Sequence, residues 1–539
     1  MKIKILSLLL CLSLLLGVSV VPAAAADPLP LPDTATQFLY DLADSLVKPL
    51  IRLIGLLFPA GDLPGKYVSS PDFYPGMDTF LDAPAAGAKW NLGYASASLL
   101  EGQNIFDGKH YVGGGLVGDG QTAVIDEKTP TVILDDQRVR VTALNDGSGR
   151  GTVILASIDG FGITSKDVRA IRALLADFAK ENNIVSINVS ALHQHSVIDT
   201  LGMNGPLLKA VFLNPVANLT GLFAPYSGKN ADFMDNLHNV VANAAKAAFA
   251  NLEPGTLHYA KVNIKEYIFD KRPPYVFDEF VHRLRFVPDA AASKETWLCN
   301  LAIHCTGNGA SAREVTGDFP YYMEETVNAA GANFQLIQGA QLAITLDSSP
   351  VDALSAVRFE KVQNYGHALG SKLTGITPEQ ETVVTPLLNA AHKEYSIPID
   401  NPLHMLFFRL KMIDSTAVKS DLLGWNMDLW TEVGYLEIGD ALAVAIVPGE
   451  MEAALAFGGG LDSDSAWKRT AWEYAPMQET IGAARELLVF GLSNDQVGYM
   501  ILPNDVHNFI LFGNEEVNAA STQAAPAVLK AFEGLVASK

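Results

Sequence analysis

The sequence predicts an α/β protein: mixed β-sheets with parallel βαβ units, flanked by helices, in a single large catalytic domain. Three observations predict it. The stretches TVILASIDGFGI and IVSINVS are short, continuously apolar and rich in β-branched residues, as strands covered on both faces are. Between them, SKDVRAIRALLADFAKENN repeats apolar residues at helical spacing and opens on Ser165, the expected cap. The links are short, so strand, helix and strand form one unit with parallel strands.

The chain of 539 residues begins MKIKILSLLLCLSLLLGVSVVPAAAADPLP. Lys2 and Lys4 precede an apolar stretch and then Ala24-Ala25-Ala26, the pattern of a cleaved secretory signal. Residues 1–26 are therefore set aside as a leader, and the mature protein is expected to be secreted or held in the cell envelope. Cys11 offers a competing lipid-anchored start, but the apolar core before it is short. No later stretch is apolar for long enough to span a membrane. The formal net charge of −21 argues against nucleic acid as a partner. Cys299 and Cys305 sit on one expected strand, too far apart to bridge each other, and read as free buried thiols.

Residues 27–80 form an N-terminal helical, apolar segment ahead of the main domain at 81–539. DTATQFLYDLADSLVKPLIRLIGLLFPAGDLPG is helical in period, opened by Asp33 or Thr34 and closed by Pro and Gly. Its second half is apolar nearly all round. It fits a helix packed on the main body, and it fits an interfacial or lid segment that meets lipid. Gly113-Gly114-Gly115 is a turn rather than a phosphate loop, since neither a helix start nor a lysine follows in place. Further along, ADFMDNLHNVVANAAKAAFANL is a long helix and TLHYAKVNIKEY a strand. TWLCNLAIHCTG is a strand ending on His304. NFQLIQGAQLAITL is a strand and LSAVRFEKVQNYGHALGSKL a helix. GYLEIGDALAVAIVPGE is a hairpin turning at Gly439-Asp440, its second strand ending on Glu450. ELLVFGLSNDQVGYMIL follows with Asn494, Asp495 and Tyr499.

The stretch SALHQHSVID concentrates the chemistry. His193 and His195 are two apart, so an extended backbone points both to one face. They follow a parallel strand, and open α/β sheets place ligands at that carboxyl edge. Three strands thus end on candidate ligands: His193 with His195, His304, and Glu450. Zinc accepts imidazole and carboxylate, and a catalytic zinc leaves one position for water. Each residue also has a plain explanation. A histidine in a turn often only hydrogen-bonds, and the Glu of PGE often only starts a helix. There is no HExxH.

Four motifs in order resemble the catalytic domain of neutral (alkaline, non-lysosomal) ceramidases. They are His193-Gln194-His195-Ser196, AIHCTGNGASAREVTGDFPYY with Thr316-Gly317-Asp318 and Tyr321, Pro448-Gly449-Glu450, and Ser493-Asn494 with Gly498-Tyr499. The likeness runs from about residue 88 to 512. It implies one zinc per chain, held by His193, His304, Glu450 and Tyr499. It implies a proton-transfer or substrate-polarising role for His195 and places Arg272 and Asp318 among the catalytic residues. Asp159 also resembles a family position near the site, though a strand-end Asp in a turn is commonplace.

The departures are specific. LIQGAQLAITLDSS, where the family carries a site serine, has none in register. DKRPPY, where it carries a site arginine, offers Arg272 with Lys271 beside it. NDVHNFILFG replaces a tyrosine-rich segment, and the family's C-terminal immunoglobulin-like domain is not expected after the domain at 81–539. The resemblance implies an amidohydrolase acting on an N-acyl amide, a ceramide-like lipid or another N-acyl compound, presented at a membrane surface in the lipid case. The alternative is an inactive relative that keeps the fold and binds a lipid or cell-envelope ligand.

Overall fold

The computed structural model describes residues 33–55, 63–112, 123–126, 132–309, 314–421, 426–460, 462–464, 466–507 and 515–539. The expected leader with Cys11, residues 56–62 of the apolar stretch, and Gly113-Gly114-Gly115 lie outside the described residues.

Helix α1 (Thr34–Gly55) opens at Asp33, whose Oδ1 accepts from the amides of Ala35 and Thr36 at 3.0 and 2.8 Å. A nine-stranded sheet follows, made of β1 (Trp90–Ser98), β2 (Arg138–Asn145), β3 (Thr152–Ile158), β4 (Ile184–Ala191), β5 (Glu253–Asn263), β6 (Phe280–Pro288), β7 (Thr296–Leu301), β8 (Asn333–Gln338) and β9 (Thr382–Val384). Its order is β8-β7-β6-β5-β1-β2-β3-β4, with β9 on β5. The pairs β3–β4 and β7–β8 are parallel and the rest antiparallel. Among its connections are helices α2 (Ser165–Glu181), α3 (Leu207–Thr220), α4 (Ala231–Ala250), α5 (Asp318–Ala329) and α6 (Arg358–Thr374).

A five-stranded sheet takes β10 (Leu388–Pro398), β11 (Ala417–Lys419), β12 (Met427–Ile438) and β13 (Leu442–Ile446). The two-residue β14 (Glu450–Met451) follows, and β15 (Glu486–Phe490) completes that sheet in parallel with β13. β14 then pairs in parallel with β16 (Tyr499–Met500). The expected hairpin is β12–β13, with Ile438 opposite Leu442 and Gly439 at φ 70° in the turn. Helices α7 (Pro402–Arg409) and α8 (Ala524–Val536) belong to this half.

Alternation along the strands puts the two sheets face to face. Val153 and Leu155 of β3 enter one core with Leu298, Ile337, Leu442, Val444, Ile446, Leu488 and Phe490. The intervening Ile154, Ala156 and Ile158 face α2 and α4 instead. Ala443, Ala445, Leu487 and Val489 pack toward α8. The result is one α/β domain of four layers: helices, two sheets, helices. Each large side chain sealed this way contributes about 1.5–3 kcal/mol.

Local details differ from expectation. The cap of α2 is Thr164, not Ser165: Thr164 and Asp167 exchange side-chain-to-backbone bonds in a capping box, and Ser165 is already helical. β7 stops at Leu301, so His304 stands in the loop beyond it. NFQLIQGAQLAITL is broken after Gln338 and resumes at Ile344–Leu346. Cys299 and Cys305 are free and buried, as expected. Among the described residues no helix is long and apolar enough to cross a membrane.

Candidate metal centre

Two parallel strands run their carboxyl ends to the same edge, so each parallel pair delivers two loops to one place. The loops after β3 and β4 bring Phe161, His193 and His195. Those after β7 and β8 bring His304 and Ile344. Those after β13 and β15 bring Glu450 and Tyr499. Backbone bonds stitch the loops together. The His195 amide donates to Cys305 O at 3.2 Å, Ala191 to Leu492 O at 3.0 Å, Asn494 to Val189 O at 2.8 Å and Leu342 to Met451 O at 3.2 Å. These bonds hold His193, Ala343, Leu492 and Asn494 at φ 61°, 61°, 48° and 65°. Such left-handed backbone costs of order 1–3 kcal/mol per residue and gathers at functional sites.

Two imidazoles are fixed in the same way. His193 Nδ1–H donates to Phe161 O at 2.6 Å, and His304 Nδ1–H to Ile344 O at 2.7 Å. With Nδ1 bonded to a carbonyl, each ring turns its Nε2 inward, the orientation of metal-ligating histidines. Both Nε2 atoms meet Glu450 Oε2, at 3.3 and 2.8 Å, and Tyr499 Oη lies 3.4 Å from His304 Nε2. Glu450 Oε1 accepts from Gln496 Nε2 at 3.1 Å. Three buried acceptors cannot converge unaided; a shared proton or a cation must lie among them. Burial holds the His193 pKa down to about 4, so its Nε2 carries no proton near neutral pH. The spacing agrees: metal–ligand bonds of about 2.0–2.2 Å in a tetrahedron put neighbouring ligands about 3.3 Å apart.

His195 completes the group. Ligand atoms of His193, His195 and His304 all lie within 4.8 Å of one another, close enough to hold a metal ion. The His195 ring meets Phe161 and His193 edge-on, with centroids 5.0 and 4.8 Å away, and its buried Nε2 has no hydrogen-bond partner. Burial first, then His193, His304 and Lys271, push its pKa well below the usual value, so the ring is neutral. Phe161 stacks on His193 at 4.6 Å. Gln194, between the two histidines, points the other way: it donates to Asp159 Oδ1 at 2.7 Å and accepts from the Gly160 amide at 3.0 Å. Asp159 also takes Arg140 at 2.9 Å, so its role is to anchor the loop.

Two expected site residues are committed elsewhere. Arg272 Nη2 donates to Asp505 O, Asp505 Oδ2 and Glu516 Oε1 at 2.7, 2.9 and 2.9 Å, with Glu452 and Glu515 at 3.8 and 3.9 Å. A buried guanidinium requires such carboxylates; they engage Nη2, while the buried Nε has no hydrogen-bond partner. Its neighbour Lys271 is the cation whose charge reaches His195. The Lys271 amide donates to Ala343 O at 3.1 Å, one residue from the carbonyl that orients His304. Asp318, at φ 56°, accepts from the amides of Gly307, Asn308 and Phe319 at 3.2, 2.8 and 2.8 Å. These bonds shape the loop after His304. Sequence reasoning missed Phe161, Ile344, Gln496 and the approach of Lys271. Main-chain carbonyls leave no trace in residue type, and the adjacent Arg272 drew the assignment away from Lys271.

No family model and no curated protein matches the chain. Solved structures do. Neutral ceramidase from Pseudomonas aeruginosa superposes with a TM-score of 0.60 at 13% identity, over 83% of this chain and 74% of that one. The chain has the neutral ceramidase fold. A structure described as ceramidase complexed with C2 matches equally, with a TM-score of 0.60 at 12% identity, over 83% of this chain and 75% of that one. At this identity the neutral-ceramidase likeness is a likeness of fold.

Proposed function

We propose that the protein is a zinc-dependent amidohydrolase, exported by its leader at 1–26, that cleaves the N-acyl amide bond of a ceramide-like lipid or another N-acyl compound. The observation that carries this reading is the convergence of His193 Nε2 and His304 Nε2 on Glu450 Oε2 inside a neutral-ceramidase fold. His193, His304, Glu450 and Tyr499 would hold one zinc, a donor set of nitrogen and oxygen that suits this metal. Zinc there would supply Lewis acidity, lowering the pKa of a water toward ~7 and polarising the amide carbonyl. His195, neutral and with a free nitrogen, carries a proton to the leaving amine. Lys271 adds positive charge where the carbonyl oxygen becomes negative. Phe161 shields the histidines and keeps the site dry. Residues 27–80 are read as an accessory segment to the catalytic domain at 81–539.

The test is elemental analysis of the mature protein together with turnover of fluorogenic N-acyl amides, with and without a chelator. About one zinc per chain is expected, with activity lost on chelation. His193→Ala, His304→Ala and Glu450→Ala should each lose both. A second reading has its own support: the serine segment is missing, and Arg272 is engaged by acids. An inactive relative that binds a lipid or cell-envelope ligand would keep zinc and turn over nothing in the panel.

A further inference from the structure

Helix α1 faces outward with its apolar side. It packs on α7 and buries Ile51, yet Phe38, Leu39, Leu42, Leu46, Leu50 and Leu53 are 45 to 69% exposed. Leu42, Leu46, Leu50 and Leu53 recur at helical spacing, forming a stripe along a helix about 33 Å long. A second outward row comes from α3 and the residues after it: Phe212, Val216, Leu219, Leu222 and Phe223 are 38 to 80% exposed. α3 packs beside the same α7. Ala210 and Val211 meet Leu406, and the Asn214 and Asn218 side chains donate to Leu410 O and Arg409 O at 2.7 and 2.9 Å. Both rows thus lie on helices that pack on α7, and together they leave ten or more large apolar side chains facing solvent.

Charge and position identify the partner. The two helices carry Asp41, Asp44, Lys48, Arg52 and Lys209, a slight basic surplus in a chain whose net charge is −21. Exposed apolar helix faces that also carry exposed Arg52 and Lys209 match a bilayer, whose phosphates take these cations while its acyl region takes the leucines. The face is also tied to the rim of the site. Trp467 Nε1 donates to Asp41 of α1 at 3.4 Å and its ring stacks on His507 at 4.1 Å. The His507 amide donates to Glu516 at 3.1 Å, within the cluster that holds Arg272 beside Lys271. α3 begins in the segment that leaves His195.

We propose that α1 and α3 together dock the protein on a phospholipid bilayer, where the site meets an N-acyl lipid; this deepens the lipid reading above and rests on it. The test is co-sedimentation of residues 27–539 with phosphatidylcholine vesicles, with and without phosphatidylglycerol. The protein should bind both, and more tightly with the anionic lipid. A triple variant, Leu42→Ser, Leu46→Ser and Leu50→Ser, and a double variant, Leu219→Ser and Leu222→Ser, should each lose at least about tenfold in partitioning. Their zinc content, equal to that of the unmodified protein, verifies the fold. Vesicle binding that both variants retain undiminished overturns the proposal. So does an unmodified protein that stays in solution, or a dimer that both variants convert to monomer without any vesicle binding. Turnover of a soluble N-acyl amide without vesicle binding removes the docking proposal and leaves the hydrolase. Vesicle binding without turnover of any amide does the reverse.

Discussion

At the scale of single residues, the site separates groups that hold from groups that react. His195 has no partner at Nε2 and lies within reach of the proposed ion. Replacing it with alanine should leave about one zinc in place and lower turnover about 10²–10⁴-fold, as removal of a general acid–base does. Loss of zinc in that variant would make His195 a ligand instead. Gln496 fixes Glu450 Oε1, so Gln496→Ala should weaken zinc binding about 10–100-fold in a competitive chelator titration. Arg272 behaves differently. Its removal leaves Asp505 and Glu516 buried without their cation, and Arg272→Ala should cost about 3–5 kcal/mol in a urea melt. The histidines and Glu450 were legible in the sequence because their types are rare at strand ends. Lys271 was not, because two adjacent cations differ only in where the chain turns.

At the scale of elements, the parallel pair is the device that builds the site. β3–β4 was legible because its strands and helix are contiguous, with two short links. β7–β8 and β13–β15 pair just as closely, but their members are separated by loops and helices that hide the pairing. Without those pairings the six loops cannot be known to meet. The last of them depends on Gly498, which sits at φ 85° where an added Cβ would stand 2.0 Å from Asn518 O. That close approach lets β16 lie against β14 and puts Tyr499 beside Glu450. Gly498→Ala should therefore displace Tyr499. Zinc affinity and thermal stability should fall together, stability by about 2 kcal/mol or more, since the clash adds to the conformational strain. A variant that melts like the unmodified protein and binds zinc equally would show that the β14–β16 pairing is dispensable.

At the scale of the whole molecule, apolar strands announced an α/β domain but not that two sheets would stack on each other. That arrangement rests on contacts between β3 and β13 or β15, hundreds of residues apart, which no local pattern encodes. Many titratable side chains are buried within and beside the stacked sheets, and their balance sets the response to pH. Burial raises Asp135 and Asp270 to about 7 and Glu452 to about 8, and Asp495 and Asp505 to about 6. It lowers His193, His392, His404 and His507 to about 4. The signs oppose each other. A raised carboxyl binds a proton in the folded state before it does unfolded, so stability grows as pH falls through 8 to 6, by about 1.4 kcal/mol per pH unit for each proton of difference. A lowered histidine binds its proton first in the unfolded chain, so stability is lost as pH falls from about 6.5 to 4. The carboxyls act alone above about pH 6.5, and below it the histidines work against them. Below that pH, five carboxyls and four histidines nearly cancel, so the urea midpoint of the metal-free protein should rise as pH falls from 8.5 to about 6 and change little from there to pH 4.5. A midpoint that climbs steadily to pH 8.5 would mean that the buried carboxyls are ionised and paired in the folded protein, with Arg272 as the first cation to look to.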